Sequence, residues 1–215
     1  MTGIESLYPF LYEERVDREA VRAQLRRSTA EKALEIVALR REVEALHGAA
    51  LVACAGAMAE RFRRGGRLLA FGNGGSSSDA QAVAQLLCAP PSGRPLPALG
   101  LTNDVAALTA LANDVGFDVV FARQVAAFGR ADDIALALST SGGSANVLRG
   151  LAEAHSRGLL TVALAGYDGG AMAAMAESAA IDHLFVVPSS SVHRIQEAQT
   201  TIYDVLWELT QRALG

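Results

Sequence analysis

Two stretches of this chain carry glycines and hydroxyls in a pattern suited to holding an anion. Gly72-Asn73-Gly74-Gly75-Ser76-Ser77-Ser78 and Ser139-Thr140-Ser141-Gly142-Gly143-Ser144 each follow an apolar run and precede a helical one. Glycine lets a backbone approach a ligand closely, and the N–H groups at a helix start favour negative charge. The second stretch adds the hydroxyls of Ser139, Thr140, Ser141 and Ser144, enough to hold a phosphate without a cation. A third, Pro188-Ser189-Ser190-Ser191, leads into Ile195 in the same way. The first stretch has neither the third glycine of a dinucleotide fingerprint nor the Gly-Lys of a P-loop. One such loop alone would read as an ordinary turn and helix cap. Two matched strand–loop–helix units point to phosphate.

The remaining reactive residues narrow the chemistry. Lys32 is the only lysine and sits in a charged helical stretch, so Schiff-base chemistry is not expected. Cys54 and Cys88 make neither a disulfide framework nor a metal cluster, and read as two buried thiols of a reduced, cytoplasmic protein. Nineteen basic against 23 acidic residues give a net charge of −4, which argues against nucleic acid or an anionic membrane as partner. The first residues lack a basic leader, and no run reaches about 18 uninterrupted apolar residues, so no membrane span is expected. His47, His155 and His183 fall in helix or strand stretches and read as structural, and Tyr167 and Trp207 as packing residues.

The elements that must position the loops follow from the apolar pattern. Leu7, Tyr8, Phe10, Leu11 and Tyr12 form an aromatic arm that should dock on something. Asp17 to Arg64 is helical: Ser28 with Glu31 suggests a capping box, Ile36, Leu39, Val43 and Leu46 form one stripe, and a second helix is expected from about Ala49. The stripe could serve an oligomer seam or a hairpin. After Gly66 apolar strands alternate with helices, with strands expected at 67–71, 97–101, 134–138, 161–165 and 183–187. Helices are expected through Leu87, over 105–112, 117–128, 145–157 and 172–177, and from Ile195 to Leu214. That alternation predicts βαβ units and a parallel sheet with helices on both faces.

The segments GNGGSSSDA, LTNDVAALTALANDVGFDVVFARQV, ALSTSGGSANVLRGLAEA, GYDGG and HRIQEAQTTIYDVL, in this order, resemble the SIS (sugar isomerase) domain family. They are most similar to its phosphoheptose isomerase branch, and the DnaA-associating SIS proteins share the motifs. The resemblance runs from about Val37 to the C-terminus. It implies a doubly wound, Rossmann-like α/β fold with a mostly parallel sheet, N-terminal helices used in oligomerisation, a homotetramer, and sugar-phosphate sites at subunit interfaces. On this reading residues 1–30 are an arm and first helix, and 31–215 a single SIS domain. By motif position, Asn73, Gly74, Gly75, Ser76, Asn103 and Asp104 would line the site. Ser139, Thr140, Ser141 and Ser144 would hold the phosphate, and Gln196 would reach the sugar.

The departures matter as much. Aldose–ketose isomerisation through an enediol needs a base and a partner for the oxygen protons. In the family the helix after the first loop carries His and Glu four residues apart, and the last helix carries a His two turns beyond the Gln. Here those positions are Ala82, Leu86 and Asp204. In the family these groups also bind zinc. Of that set only Gln196 remains, so no such zinc site and no cofactor is expected. His193, Glu197 and Asp204 are the candidate replacements, since imidazole transfers protons near neutral pH, and Asp79 is a further nearby carboxylate. Three functions stay open: an isomerase of the phosphoheptose type, an isomerase of another phosphosugar, and a non-catalytic sensor that binds sugar phosphate and presents a surface to another protein.

Overall fold

A computed structural model describes residues 18–215. The aromatic arm at Leu7–Tyr12 lies outside the described residues. Residues up to Ala38 and residues from Leu39 onward are two separate compact units.

One helix, α1 (Arg18–Arg63), runs without a break through the stretch expected to hold two. Nothing in it stops a helix: the chain has no proline there, and Gly48 and Gly56 cost only about 1 kcal/mol each against Ala. Ser28 is therefore a mid-helix residue and caps nothing. The neighbouring Thr29 hydroxyl donates back to Leu25 O at 2.8 Å. The first unit exposes Val21, Leu25, Leu34 and Val37. In the second unit the expected stripe divides: Leu39 and Val43 are buried and Leu46 is exposed. One 18-residue window of α1 reaches a mean hydropathy of 1.2, long and apolar enough by composition alone to cross a membrane. In the fold, Leu51, Cys54, Ala55, Met58, Ala59 and Phe62 of this helix are buried, as in a core helix.

From Leu68 the elements alternate as expected: β1 (Leu68–Gly72), α2 (Gly75–Cys88), β2 (Ala98–Gly100), α3 (Val105–Asp114), a 3-10 turn at Phe117–Val119, α4 (Val120–Phe128), β3 (Ile134–Ser139), α5 (Ala145–Ser156), β4 (Leu160–Gly166), α6 (Gly170–Glu177), β5 (His183–Val187) and α7 (Val192–Leu214). The five strands pair in parallel in the order β2-β1-β3-β4-β5. Strands β1, β3 and β4 are buried along their whole length, which is why they read as unbroken apolar runs. On one face Phe71, Ala137 and Ala165 pack with Phe121, Val147 and Leu151, and the Phe71 and Phe121 rings stand 5.2 Å apart. Helices α2 and α7 pack against each other.

The order fixes where a ligand can sit. The chain leaves β1 toward β2 on one side, and β3, β4 and β5 follow on the other. The β1/β3 carboxyl ends are thus the topological switch point of the sheet, the crevice where open parallel sheets bind ligands.

Candidate functional site

Both hydroxyl-rich loops emerge at that switch point. The first is shorter than the sequence suggests, because α2 begins at Gly75 and takes Ser76, Ser77 and Ser78 into its first turn. Gly74 precedes it at φ 54°, a left-handed conformation that glycine adopts without strain. Gly75 is constrained by space: a Cβ there would stand 2.1 Å from Gln196 Nε2. The loop is a junction. Asn73 and Asn146 exchange amide hydrogen bonds, each 2.8 Å long, which ties the β1 end to the start of α5. Ser77 Oγ donates to Thr102 Oγ1 at 2.8 Å, and Gln81 Nε2 donates to the same hydroxyl at 3.1 Å, which ties α2 to the β2 end. Ser76 is buried. Asn146 and Thr102 were not among the expected residues. A lone Asn inside a helical stretch carries no sequence signal of its own.

The second loop is differently furnished. Ser139 is buried, with its Oγ 3.2 Å from Ser144 Oγ and 3.5 Å from Ser141 Oγ. Ser141 Oγ accepts from Gly143 N at 3.3 Å. Ser144 is the N-cap residue of α5 and makes no side-chain cap, so its hydroxyl is not spent on the helix end. Thr140 is half-buried, and its carbonyl accepts from Gly166 N at 3.0 Å.

A cleft of about 370 Å³ opens between α2 and α7, lined by Gly75, Ser78, Asp79, His193, Gln196, Glu197 and Thr200. It brings together the expected Gly75, Gln196, His193 and Glu197. It leaves out Asp204, which is exposed two turns further along α7. Burial, then the nearby Glu208, push the Asp204 carboxyl above its ordinary range, with Arg40 opposing. Glu197 is ion-paired with Arg194. Asp79 hydrogen-bonds to the side chains of Gln196 and Tyr203, while its Oδ2 is buried without a partner. Desolvation raises its carboxyl above the ordinary range, and those two bonds oppose the shift. Asn103 and Asp104 do not line this cleft. They line a larger apolar groove of about 880 Å³ with Leu99, Ala107, Leu111 and Phe128, and the Asp104 carboxylate accepts from Ala107 N at 2.9 Å, capping α3.

The family's zinc does not fit these residues. Ala82 and Leu86 continue the α2 face of Gly75, Ser78 and Asp79 by helical spacing, and they offer a methyl and an isobutyl group. Among the described residues no three His, Cys, Asp or Glu side chains cluster as a metal would require.

Outside the site, His47 bonds Val186 O through Nε2 at 2.8 Å and meets the Phe185 ring edge-on. Cys54 is buried, and burial pushes its thiol far up; Cys88, expected to be buried, is exposed at the end of α2. Trp207 is buried, whereas Tyr167 is exposed, at φ 54°, where the chain must turn sharply off β4.

Comparison with known proteins gives the family and the fold. The sequence model of the SIS domain family covers residues 33–166. The phosphoheptose isomerase of Aquifex aeolicus is 44% identical over 168 residues, which is 77% of this chain and 85% of that protein. Among solved structures, the phosphoheptose isomerase GmhA from Neisseria gonorrhoeae superposes with a TM-score of 0.80 at 37% identity, covering 87% of this chain and 99% of that one. A phosphoheptose isomerase from Francisella tularensis superposes with a TM-score of 0.74 at 35% identity, covering 86% and 98%.

Proposed function

Because the chain belongs to the SIS domain family, we propose that it binds a phosphorylated sugar at the β1/β3 switch point and interconverts ketose and aldose forms as a phosphoheptose isomerase does. The observation that carries this is the reciprocal Asn73–Asn146 pair, which locks two hydroxyl-rich helix starts side by side where such sheets bind ligands. On this reading Ser139, Thr140, Ser141 and Ser144 take the phosphate, and the sugar extends past Asn73, Gly74, Gly75 and Ser76 toward Gln196. His193 and Glu197, in the same cleft, are the available proton-handling groups. Asp204 acts there only if a neighbouring copy or a movement closes the site over it. Asn103 and Asp104, which line the separate groove, take no part in the site on this reading.

Residues 31–215 form the functional domain on this reading, in a cytoplasmic homotetramer without nucleic acid or membrane as partner. The exposed Leu25 and Leu34 of the first unit, and Leu46 and Val52 of the second, support an oligomer, being more apolar than a lone small protein needs to show. The two free cysteines suit a reducing compartment.

A second reading, a sugar-phosphate sensor without turnover, is favoured by one observation: Ala82 and Leu86 stand where the family has its acid and base. Sedoheptulose 7-phosphate in deuterated water separates the two. An isomerase yields an aldose with deuterium at carbon 2 in the NMR spectrum. A sensor shows ligand-induced stabilisation and no product.

A further inference from the structure

We propose that Asp79 is the catalytic carboxyl of this site, a role that in the resembling enzymes falls to a residue two turns further along the same helix. The inference rests on the isomerase reading above and deepens it.

Three observations carry it. Asp79 lines the α2–α7 cleft together with Gln196 and His193. By helical spacing it lies on one α2 face with Ala82 and Leu86, so a carboxyl is present on that face even though the later turns offer only hydrocarbon. Its two oxygens are unequal: Oδ2 is buried without a partner, away from the cleft, so a ligand in the cleft meets the carboxyl through its other oxygen. A carboxyl in the cleft wall with one oxygen on the cleft side is positioned to take and return a proton. Desolvation, which raises its proton affinity, fits that task. The other carboxylate of the cleft, Glu197, is occupied by Arg194. Asp204 lies outside the cleft lining.

The step balances with groups already in the cleft. Asp79 takes a proton from carbon 1 of the 2-ketose, and the C–H electron pair becomes the C1=C2 double bond. The carbonyl pair moves to oxygen 2, which receives a proton from the His193 imidazolium, giving the enediol. The oxygen 1 hydroxyl then returns a proton to His193, its pair forms the aldehyde, and the C1=C2 pair takes onto carbon 2 the proton on Asp79, which has exchanged with solvent while the enediol stands. The titratable groups facing Asp79 are His193, Glu197 and Tyr203, all from α7.

The test uses the full chain with sedoheptulose 7-phosphate. Asp79→Asn keeps the shape and the bond to Gln196 but cannot take the proton. Its kcat should fall about 10²–10⁴-fold and deuterium incorporation at carbon 2 should disappear. Sugar-phosphate affinity by calorimetry should stay within about threefold, and the melting temperature should not drop. Asp79→Glu should recover part of the rate. A wild type that turns over beside an Asp79→Asn variant with more than about a tenth of its rate overturns this assignment alone. A wild type with neither turnover nor deuterium incorporation overturns the isomerase reading and this inference with it.

Discussion

The loops at the ends of β1 and β3 look alike in sequence and do different work. In the first, polar side chains are committed to the protein: Asn73 to Asn146, Ser77 to Thr102, and Ser76 to the interior. In the second, the hydroxyls of Ser139, Ser141 and Ser144 meet mainly one another, at 3.2 and 3.5 Å, long for hydroxyl pairs. Polar groups spent on the fold make a frame. Groups left to each other can be claimed by a phosphate with little to give up. On the proposed function the first loop is the frame of the site and the second its receptor.

That division is broken most severely at Asn146. Asn146→Ala leaves the Asn73 amide without its partner at a half-buried position. We expect a loss of about 2–3 kcal/mol of stability by urea denaturation, and weaker sugar-phosphate binding as the two helix starts lose their register. Full stability in Asn146→Ala would show that the amide pair holds nothing together. Replacing both Ser139 and Ser141 by Ala should do the opposite. Affinity should fall by about 1–3 kcal/mol in calorimetry, at roughly 0.5–1.5 kcal/mol per hydrogen bond, with stability almost untouched. Unchanged affinity would remove the phosphate from this loop. The first change tests the frame, the second the receptor.

How much of this was legible in the sequence follows the same line. The five strands were: β1, β3 and β4 are buried along their whole length and read as bare apolar runs, and the partly exposed edge strands β2 and β5 are short apolar runs as well. The place of the second loop was too, because four hydroxyls and two glycines in six residues break an apolar run just before a helical one. The frame was not. Ser76, Ser77 and Ser78 read as loop but are the first turn of α2, since Gly74 turns the chain early. Asn146 is polar and alone in a helix, and only its partner 73 positions away gives it meaning. The continuity of α1 was not, because Gly48 and Gly56 weaken a helical pattern without ending it. Asp104 fits its cap role well enough that motif position misled about its neighbours.

The smallest effect expected sharpens the boundary between frame and site, and it lies at Asp79. Burial raises its carboxyl above the ordinary range, against the bonds from Gln196 and Tyr203. An acid whose folded pKa exceeds its unfolded pKa binds its proton more tightly when folded. Its contribution to stability is therefore fully present below the unfolded value and is lost as pH rises through the folded one. At neutral pH the charged, desolvated carboxylate is a cost the fold carries. Asp79→Asn is neutral at every pH and removes that cost. The variant should be the more stable protein at about pH 7.5, by under about 1 kcal/mol because the half-buried group is still partly screened by solvent. The gap should close as pH falls to about 3.8 and below, the carboxyl's ordinary value, where both side chains are neutral in the folded and the unfolded chain. Urea denaturation of both proteins at the two pH values measures it. A difference that stays constant, or that favours the wild type at neutral pH, would place Asp79 in the frame with Asn73. A difference that closes on acidification marks it as a group held at a cost in stability, as residues kept for function are.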